Sequence, residues 1–271
     1  ITTWIRNPYG LYAEKILRLK KLGALQKEWE AADRGTLFHT ILEQFVATYT
    51  GTWPTDAHER LHAIAAAVFN AEGLPDDVRL FWWPRFESMA RWFIRQEVEH
   101  RAEGYRPALI EKEGQIVVTT DAGHRLTLHG KPDRIDKNAN GHFAIIDYKT
   151  GTVPAAKDVE SGLEPQLTLL ALILARGGFQ DLGTGDADKL AYWPVTGARS
   201  EKEPRVFPKK KPLDALLHET LAGLSSLIDA YADANTPYLA VPRPDYAARY
   251  NDYAHLSRLA EWGRGDKGDD V

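Results

Sequence analysis

The chain contains no cysteine. This absence excludes disulfides, zinc sites built on thiolates, and iron–sulfur clusters whose ligands come from this chain. No apolar run approaches the roughly 20 residues that a membrane-spanning helix needs, and no signal peptide is visible. The formal net charge of −4 excludes a uniformly basic surface, so any contact with nucleic acid must come from a local patch or channel.

The apolar content is sufficient for a substantial core. The chain has 271 residues, 44% of them hydrophobic, which suits one large domain or one domain with an elaboration. It begins at Ile1 without an initiator methionine, and we interpret it as a domain of a longer cytoplasmic protein. We predict three parts: a helical N-terminal part at 1–107, a core at 108–240, and a tail at 241–271 that packs back on the N-terminus.

The spacing of apolar residues changes along the chain. Helical spacing in the N-terminal third gives way, from Ala108, to the alternation that is typical of strands. Helices then return, interrupted by one short strand. This order predicts a mixed sheet flanked by helices in an α/β fold. The predicted helices cover 11–22, 34–49, 78–103, 165–177, 213–233 and 242–262, and the predicted strands cover 108–120, 125–136, 142–148 and 189–195.

Charged residues end the most apolar of these strands. Asp147 and Lys149 share one face, because side chains alternate along a strand, and Asp133 on the preceding strand could join them. Buried charge is costly unless it is paired or bound to a metal. Two converging carboxylates suit Mg²⁺, and an adjacent lysine can orient water or stabilise charge on a phosphate. The alternative is a surface salt-bridge trio at the strand ends.

Four segments carry a resemblance to a known family. Pro132-Asp133 followed by Asp147-Tyr148-Lys149 resembles the PD-(D/E)xK pattern of nucleases. GKPDRID and IIDYKTG are similar to the RecB-type branch, especially to the C-terminal nuclease domain of AddB-type subunits. RGTLFHTILEQF resembles the Gly-x-x-x-His helix of that branch, and PQLTLLALIL resembles its Gln-x-x-x-Tyr helix. The segments follow the family's order over residues 34–174.

The resemblance implies a restriction-endonuclease-like fold with the histidine motif in the N-terminal part. It also implies a Mg²⁺-dependent deoxyribonuclease, with Mn²⁺ able to substitute, acting on DNA as an exonuclease. The implied partner of the full-length protein is an AddA-type helicase–nuclease in double-strand break repair and recombination, in which the AddB-type nuclease degrades the 5′-ended strand. The implied site residues are His39, Asp133, Asp147 and the main-chain carbonyl of Tyr148 for the metal, Lys149 for the water, and Gln166 for the DNA strand.

The chain departs from the family pattern twice. Leu170 stands where the family has the tyrosine of the Gln-x-x-x-Tyr helix. Asn7 precedes Pro8-Tyr9 where many AddB-type domains have the first cysteine of an iron–sulfur cluster, so the resemblance is to a cluster-free branch. We expect aromatic burial of the tail against residues 4–11 to replace the cluster. The tail aromatics are Tyr246, Tyr250, Tyr253 and Trp262.

Two alternative functions remain open. The first is another RecB-type nuclease, stand-alone or phage-related, with the same chemistry and other partners. The second is a catalytically degenerate domain that guides DNA or docks a subunit. The presence of Asp133, Asp147 and Lys149 favours catalysis, whereas Leu170 favours the degenerate domain.

Several other polar or aromatic positions have a structural and a functional interpretation. His39, taken alone, could be an ordinary core or surface histidine. Arg134 and Asp136 are expected to pair with neighbours, and Glu111 is interpreted as a strand-surface charge rather than a support for the site. Lys209, Lys210 and Lys211 could contact DNA phosphates or lie in a solvated loop. The aromatics Phe81, Trp82 and Trp83 are expected to serve core or inter-domain packing rather than to stack on bases.

The hairpin around Asn140-Gly141 decides whether the two aspartates can meet. A regular two-residue turn would place Asp133 and Asp147 on opposite faces of the sheet. A loop of three residues that ends in Gly141 at positive φ would place Asn138 opposite His142 and bring the aspartates level. We therefore predict the three-residue loop.

Overall fold

The computed structural model describes residues 1–20, 28–198, 202–242 and 251–258. Its helices are α1 (Thr2–Arg6), α2 (Pro8–Leu11), a π-helical turn (Tyr12–Ile16), α3 (Ala31–Thr48), α4 (Ala57–Ala71), α5 (Asp76–Ala102), α6 (Ala156–Glu160), α7 (Gln166–Ala175) and α8 (Leu213–Ala232). Its strands are β1 (Arg106–Ile110), β2 (Gly114–Thr119), β3 (Arg125–Gly130), β4 (Arg134–Lys137), β5 (Phe143–Lys149), β6 (Ala187–Pro194) and β7 (Arg205–Phe207).

The central sheet is mixed. Its five strands run in the order β1-β4-β5-β6-β7. Strands β5 and β6 are parallel, whereas the other neighbouring pairs are antiparallel. Strands β2 and β3 form a separate antiparallel pair. This architecture confirms the α/β prediction and is consistent with a restriction-endonuclease-like fold.

Two hydrophobic clusters cover the two faces of the sheet. On one face, α3, α4 and α5 pack against Ile146, Tyr148 and Trp193. On the other face, α7 and α8 pack against Ile145 and Leu190. Successive residues of β5 therefore enter different clusters, as the alternation of side chains requires. Because both faces are covered, the apolar run at the centre of β5 is fully buried.

The hairpin between β4 and β5 has the predicted register. Lys137 pairs with Phe143, and the main-chain N–H of Asn138 donates to the carbonyl of His142 at 2.9 Å. Residues 139–141 form the loop, and Gly141 has a φ of +88°. Extending the ladder from the Arg134–Ile146 pair by one residue places Asp133 opposite Asp147. The prediction of a three-residue loop is confirmed.

Two of the predicted strands are each divided into two shorter strands in the structure. The predicted strand at 108–120 is two strands, β1 and β2, and the predicted strand at 125–136 is also two, β3 and β4. In each case the chain passes from one sheet to the other, so each break falls where the pairing partner changes. Helix α4 is an additional element that we did not predict.

The N-terminal segment packs against α8, whereas most of the tail that we expected to cover it lies outside the described residues. Trp4 lies edge-on to Tyr231 of α8, with ring centroids 5.2 Å apart. Tyr253 of the tail donates a 2.9 Å hydrogen bond to the carbonyl of Leu19 in the N-terminal part. The other tail aromatics, Tyr246, Tyr250 and Trp262, lie outside the described residues. The predicted helix at 242–262 lies largely outside them as well, and its described part, 251–258, forms turns.

Candidate active site

The predicted site residues come from separate elements that meet at one end of β5. His39 lies on α3, and Asp133 directly precedes β4. Asp147 and Lys149 end β5, and Gln166 is the first residue of α7. Parallel β5 and β6 both end at this edge, where the main-chain N–H of Val195 donates to the carbonyl of Lys149 at 2.9 Å. The structure therefore brings residues that are distant in sequence to one edge of the sheet.

Asp147, Lys149 and Gln166 form a closed ring of contacts. Lys149 Nζ lies 2.6 Å from Asp147 Oδ2 and donates to Gln166 Oε1 at 2.9 Å. The Gln166 amide nitrogen donates in turn to Asp147 Oδ1. The Asp147 side chain is almost fully buried, whereas that of Lys149 keeps 23% of its surface exposed. The ring thus fixes a buried carboxylate and a lysine that solvent can reach.

A second group of ligand atoms lies beside the ring. Among the described residues, His39, Glu111 and Asp133 each offer an atom within 4.8 Å of the others. His39 Nδ1 lies 3.4 Å from Asp133 Oδ1. The other oxygen of Asp133 accepts a 2.6 Å hydrogen bond from the main-chain N–H of Tyr148. One nitrogen and two carboxylates are a donor set that suits a hard divalent cation.

Glu111 corrects the sequence interpretation. We expected a strand-surface charge, but the residue directly follows β1 and only 17% of its side chain is exposed. Its backbone has a φ of +50°, which is uncommon for a residue with a side chain, and its N–H donates to the carbonyl of Asp133 at 3.1 Å. An acid directly after an apolar strand is the same signal that drew attention to Asp147, and it could have identified Glu111.

The charges of the site perturb one another. Burial, and then the charge of Asp133, raise the pKa of Asp147 to about 6 although Lys149 opposes the shift. Burial also raises the pKa of Glu111, again with a contribution from Asp133. For His39, burial lowers the pKa, but the hydrogen bond and charge of Asp133 outweigh it and the net direction is upward. Burial is the largest cause for Asp147 and Glu111, and the charge of Asp133 contributes to all three shifts, so a cation bound among these groups would favour their deprotonated forms.

Residues 1–250 match the PD-(D/E)XK nuclease superfamily. The chain belongs to this superfamily. Members are generally dependent on divalent metals, which agrees with the ligand group of His39, Glu111 and Asp133. Family membership therefore implies a nuclease-type hydrolase.

Similar proteins add little about function. Two proteins named "Uncharacterized protein", from Rickettsia felis and Rickettsia bellii, are 29% and 32% identical over 95% and 94% of this chain. The chain spans 33% and 31% of their lengths, about a third of each. A solved structure titled "Crystal structure of SSO0001" is 12% identical, with a TM-score of 0.32 over 82% of this chain and 94% of that chain.

Leu170 has a structural role in this member of the nuclease superfamily. Its side chain is buried, and a Cβ added to Gly130 would lie 2.7 Å from one of its methyl groups. The glycine of the GKPD segment therefore lets α7 approach the end of β3. Leu170 is part of the apolar interior, so the polar contact implied for a tyrosine at this position is absent. The contacts of Gln166 with Asp147 and Lys149 do not involve Leu170.

A buried charge network supports the strands of the site from the other face. Arg134 pairs with Asp136 and with Glu97 of α5, and all three are fully buried. His100 contacts Asp136 at 2.9 Å, and Arg134 lies 3.4 Å from the hydroxyl of Tyr148. The prediction that Arg134 and Asp136 pair with neighbours is confirmed. Because Arg134 follows Asp133 and Tyr148 follows Asp147, the network anchors the backbone at both candidate ligands.

The remaining candidates lie away from the ring. Trp82 is buried against Trp29, which agrees with core packing. Phe81 is 74% exposed and therefore does not belong to the core, so only the inter-domain part of the prediction stays open for it. The main-chain N–H groups of Lys209 and Lys210 donate to Glu160, and Lys211 pairs with Glu219. No described helix is both long and apolar enough to cross a membrane.

Proposed function

We propose that this chain hydrolyses DNA phosphodiester bonds with Mg²⁺, for which Mn²⁺ can substitute. The observation that carries the proposal is the ring of Asp147, Lys149 and Gln166 directly beside the group of His39, Glu111 and Asp133. A lysine held next to several carboxylates suits phosphodiester hydrolysis, because the carboxylates can bind a cation and the lysine can act on water or phosphate. The ring keeps a carboxylate buried with a raised pKa, which favours a functional role over a purely stabilising one.

Each residue has a role that follows from its contacts. His39, Asp133 and Asp147 would hold the ion together with the main-chain carbonyl of Tyr148, and we add Glu111 to this set on the basis of its position. When bound, the ion would neutralise phosphate charge and lower the pKa of a bound water. Lys149, which is both held and partly exposed, would position the attacking water. Gln166 would fix Asp147 and Lys149 while it contacts the DNA strand.

We further propose that the longer protein acts with an AddA-type helicase–nuclease in double-strand break repair. The support for this role is the similarity of GKPDRID and IIDYKTG to AddB-type domains. The relatives' greater length leaves room for further domains. A stand-alone or phage-related exonuclease would share the same site. A degenerate DNA-guiding domain is less favoured, because it would not need the contacts among Asp147, Lys149 and Gln166.

A nuclease assay on end-labelled DNA tests the proposal. The chain is incubated with 5′-labelled or 3′-labelled DNA, single-stranded or duplex, in Mg²⁺, in Mn²⁺ or in EDTA. We expect cleavage with either metal and none in EDTA, with loss of 5′-terminal label first if the AddB-like polarity holds. Absence of cleavage under every metal condition, with DNA binding intact, would support the degenerate domain instead.

A further inference from the structure

Two arginines, Arg34 and Arg85, lie at the same end of β5 and β6, and neither has an ion-pair partner in the part of the chain that the structure describes. Arg34 is half-buried near the start of α3, and its Nε is buried without a hydrogen-bond partner among the described residues. Arg85 on α5 is exposed and makes no ion pair with any residue that the structure describes. A half-buried guanidinium is costly to leave unpaired. The guanidinium groups of Arg34 and Arg85 therefore have no anionic partner among the described residues.

Close packing of two glycines places the backbone at Arg34 and at Arg85 against the segments that follow β5 and β6. Gly35 follows Arg34, and a Cβ added to it would lie 2.7 Å from Thr150 Oγ1, so α3 rests directly on the residue after Lys149. A Cβ added to Gly197 would lie 2.5 Å from the carbonyl oxygen of Arg85, so α5 rests on the segment after β6. Both contacts involve residues that follow the last pair of the β5–β6 ladder, which is Lys149 with Pro194.

The electrostatics of Arg34 agree with this placement. Burial lowers the pKa of Arg34, and the positive charge of Arg85 lowers it further, so the two guanidinium groups repel each other. Lys149 ends β5 one residue before Thr150, so a further positive charge belongs to the same edge of the sheet. Arginine is well suited to bind phosphate because its planar group donates two parallel hydrogen bonds. An anion bound between the two arginines would relieve the repulsion.

We propose that Arg34 and Arg85 form a phosphate-binding pair that holds the DNA backbone next to the phosphate to be cleaved. This inference rests on the proposed function, because the anion is identified as DNA phosphate through the adjacent nuclease site. The pair would position the strand relative to Lys149. It contributes no ligand to the metal.

The salt dependence of DNA binding tests the pair directly. Binding of a labelled oligonucleotide is measured at several salt concentrations in EDTA, with every variant carried in an Asp147→Asn background so that no cleavage occurs. Each phosphate contact contributes a slope of roughly 0.7–0.9 in log affinity against log salt. We expect Arg34→Gln and Arg85→Gln each to reduce the slope by about that amount, and Arg34→Lys to keep it. Arg95→Gln, on the same helix as Arg85 and also exposed, should leave the slope unchanged.

The outcomes separate this proposal from the nuclease proposal. Unchanged slopes in both glutamine variants, while the chain without the Asp147 substitution cleaves DNA, would overturn the pair and leave the nuclease standing. Reduced slopes in the glutamine variants, together with no cleavage by the chain that keeps Asp147, would support the arginine pair and overturn the nuclease proposal. If Arg34→Gln fails to fold in a thermal unfolding control, the exposed Arg85 still decides the question.

Discussion

The main-chain N–H of Tyr148 donates a 2.6 Å hydrogen bond to Oδ2 of Asp133. The bond joins the end of β5 to the residue before β4, so it depends on the register of the hairpin between them. A shift of one residue would move Asp133 to the opposite face of the sheet. The three-residue loop with Gly141 at positive φ therefore determines the geometry of the candidate site, although it lies at the far end of the hairpin.

Replacing Asp147 by asparagine should abolish cleavage and leave the fold intact. The substitution keeps the shape of the side chain but removes the charge that would bind the cation. We expect activity to fall by at least about 10²–10³, as for the loss of a group that stabilises transition-state charge. The rate of DNA cleavage in Mg²⁺ measures the effect, and the exposed Asp181→Asn serves as the matched control.

The same variant should be more stable than the wild type when no metal is present. Burial raises the pKa of Asp147 to about 6, so the folded state disfavours its charge at neutral pH. Removing that charge should raise the free energy of unfolding by on the order of 1 kcal/mol. The gain is smaller than the free energy that corresponds to the pKa shift of Asp147, because Lys149 loses its partner. A less stable variant, measured by thermal unfolding in EDTA, would contradict this account of the site.

Replacing Lys149 by alanine should abolish cleavage while metal binding persists. Lys149 contacts Asp147 and Gln166 and provides no metal ligand, so its removal takes away only the group that orients water. We expect a loss of about 10²–10³ in rate. Calorimetric titration with Mn²⁺ checks that binding remains. Cleavage at the wild-type rate would exclude Lys149 from the chemistry.

The sequence was sufficient to predict that Asp133, Asp147 and Lys149 lie together, because that evidence was local, whereas His39 and Gln166 were named from the family resemblance. Asp147 and Lys149 follow an apolar strand, and the strand alternation predicts that they share a face. The turn chemistry of Gly141 predicted the register correctly, since a loop with one residue at positive φ has few alternatives. These features depend on backbone geometry over a few residues, which sequence patterns describe well.

The features that were missed depend on contacts between distant segments. The position of Glu111 after an apolar strand marked it as a candidate, but its placement beside Asp133 depends on a positive φ and on a main-chain hydrogen bond to Asp133 that the sequence does not indicate. The divisions between β1 and β2 and between β3 and β4 reflect a change of pairing partner rather than a change of composition. Leu170 is buried because Gly130 lets α7 approach, which is a tertiary contact.

The stability of the metal-free protein should fall as pH rises, and metal should reverse the trend. The folded pKa of Asp147 is about 6 against an ordinary 3.8, so the folded state holds a proton that the unfolded state has lost and stability falls across that window. The pKa of His39 is also raised, so its contribution is present below its unfolded pKa and is lost as pH rises through the folded value.

Metal ligands must be deprotonated, so metal affinity should increase over the same range. The difference in melting temperature between Mn²⁺ and EDTA should therefore grow from about pH 5 to about pH 8. Asp147→Asn should remove part of the pH dependence of the melting temperature measured in EDTA. A difference in melting temperature that is constant with pH would show that these groups do not bind the metal.

Replacing Glu111 by glutamine should weaken metal binding. Glu111 supplies one of the ligand atoms within 4.8 Å of those of His39 and Asp133, and the substitution keeps its shape while removing its charge. Crystals grown with Mn²⁺ should show anomalous density between His39, Asp133 and Asp147 in the wild type, with Glu111 adjacent. We expect lower Mn²⁺ affinity in Glu111→Gln and unchanged affinity in the exposed Glu113→Gln. Equal affinities would remove Glu111 from the ligand set.

Replacing Arg134 by methionine should destabilise the protein far more than an equivalent change at the surface. Arg134 is fully buried between Glu97 and Asp136, and its removal leaves two buried carboxylates with too few partners. Breaking a buried pair in this way costs about 3–5 kcal/mol. Arg91, which pairs with Glu87 at 3.8 Å and is 61% exposed, provides the control, because Arg91→Met should cost less than about 1 kcal/mol.

A double variant, Arg134→Met with Glu97→Gln, tests whether unpaired buried carboxylates cause the loss of stability. If the unpaired carboxylates cause the loss, adding Glu97→Gln to Arg134→Met should recover part of the unfolding free energy, because one buried charge disappears with its partner. Chemical denaturation of the wild type, both single variants and the double variant measures this coupling. If the two effects simply add, the network does not act through the pairing of Arg134 with Glu97. The support that it gives to the backbone at Asp133 would then come from packing.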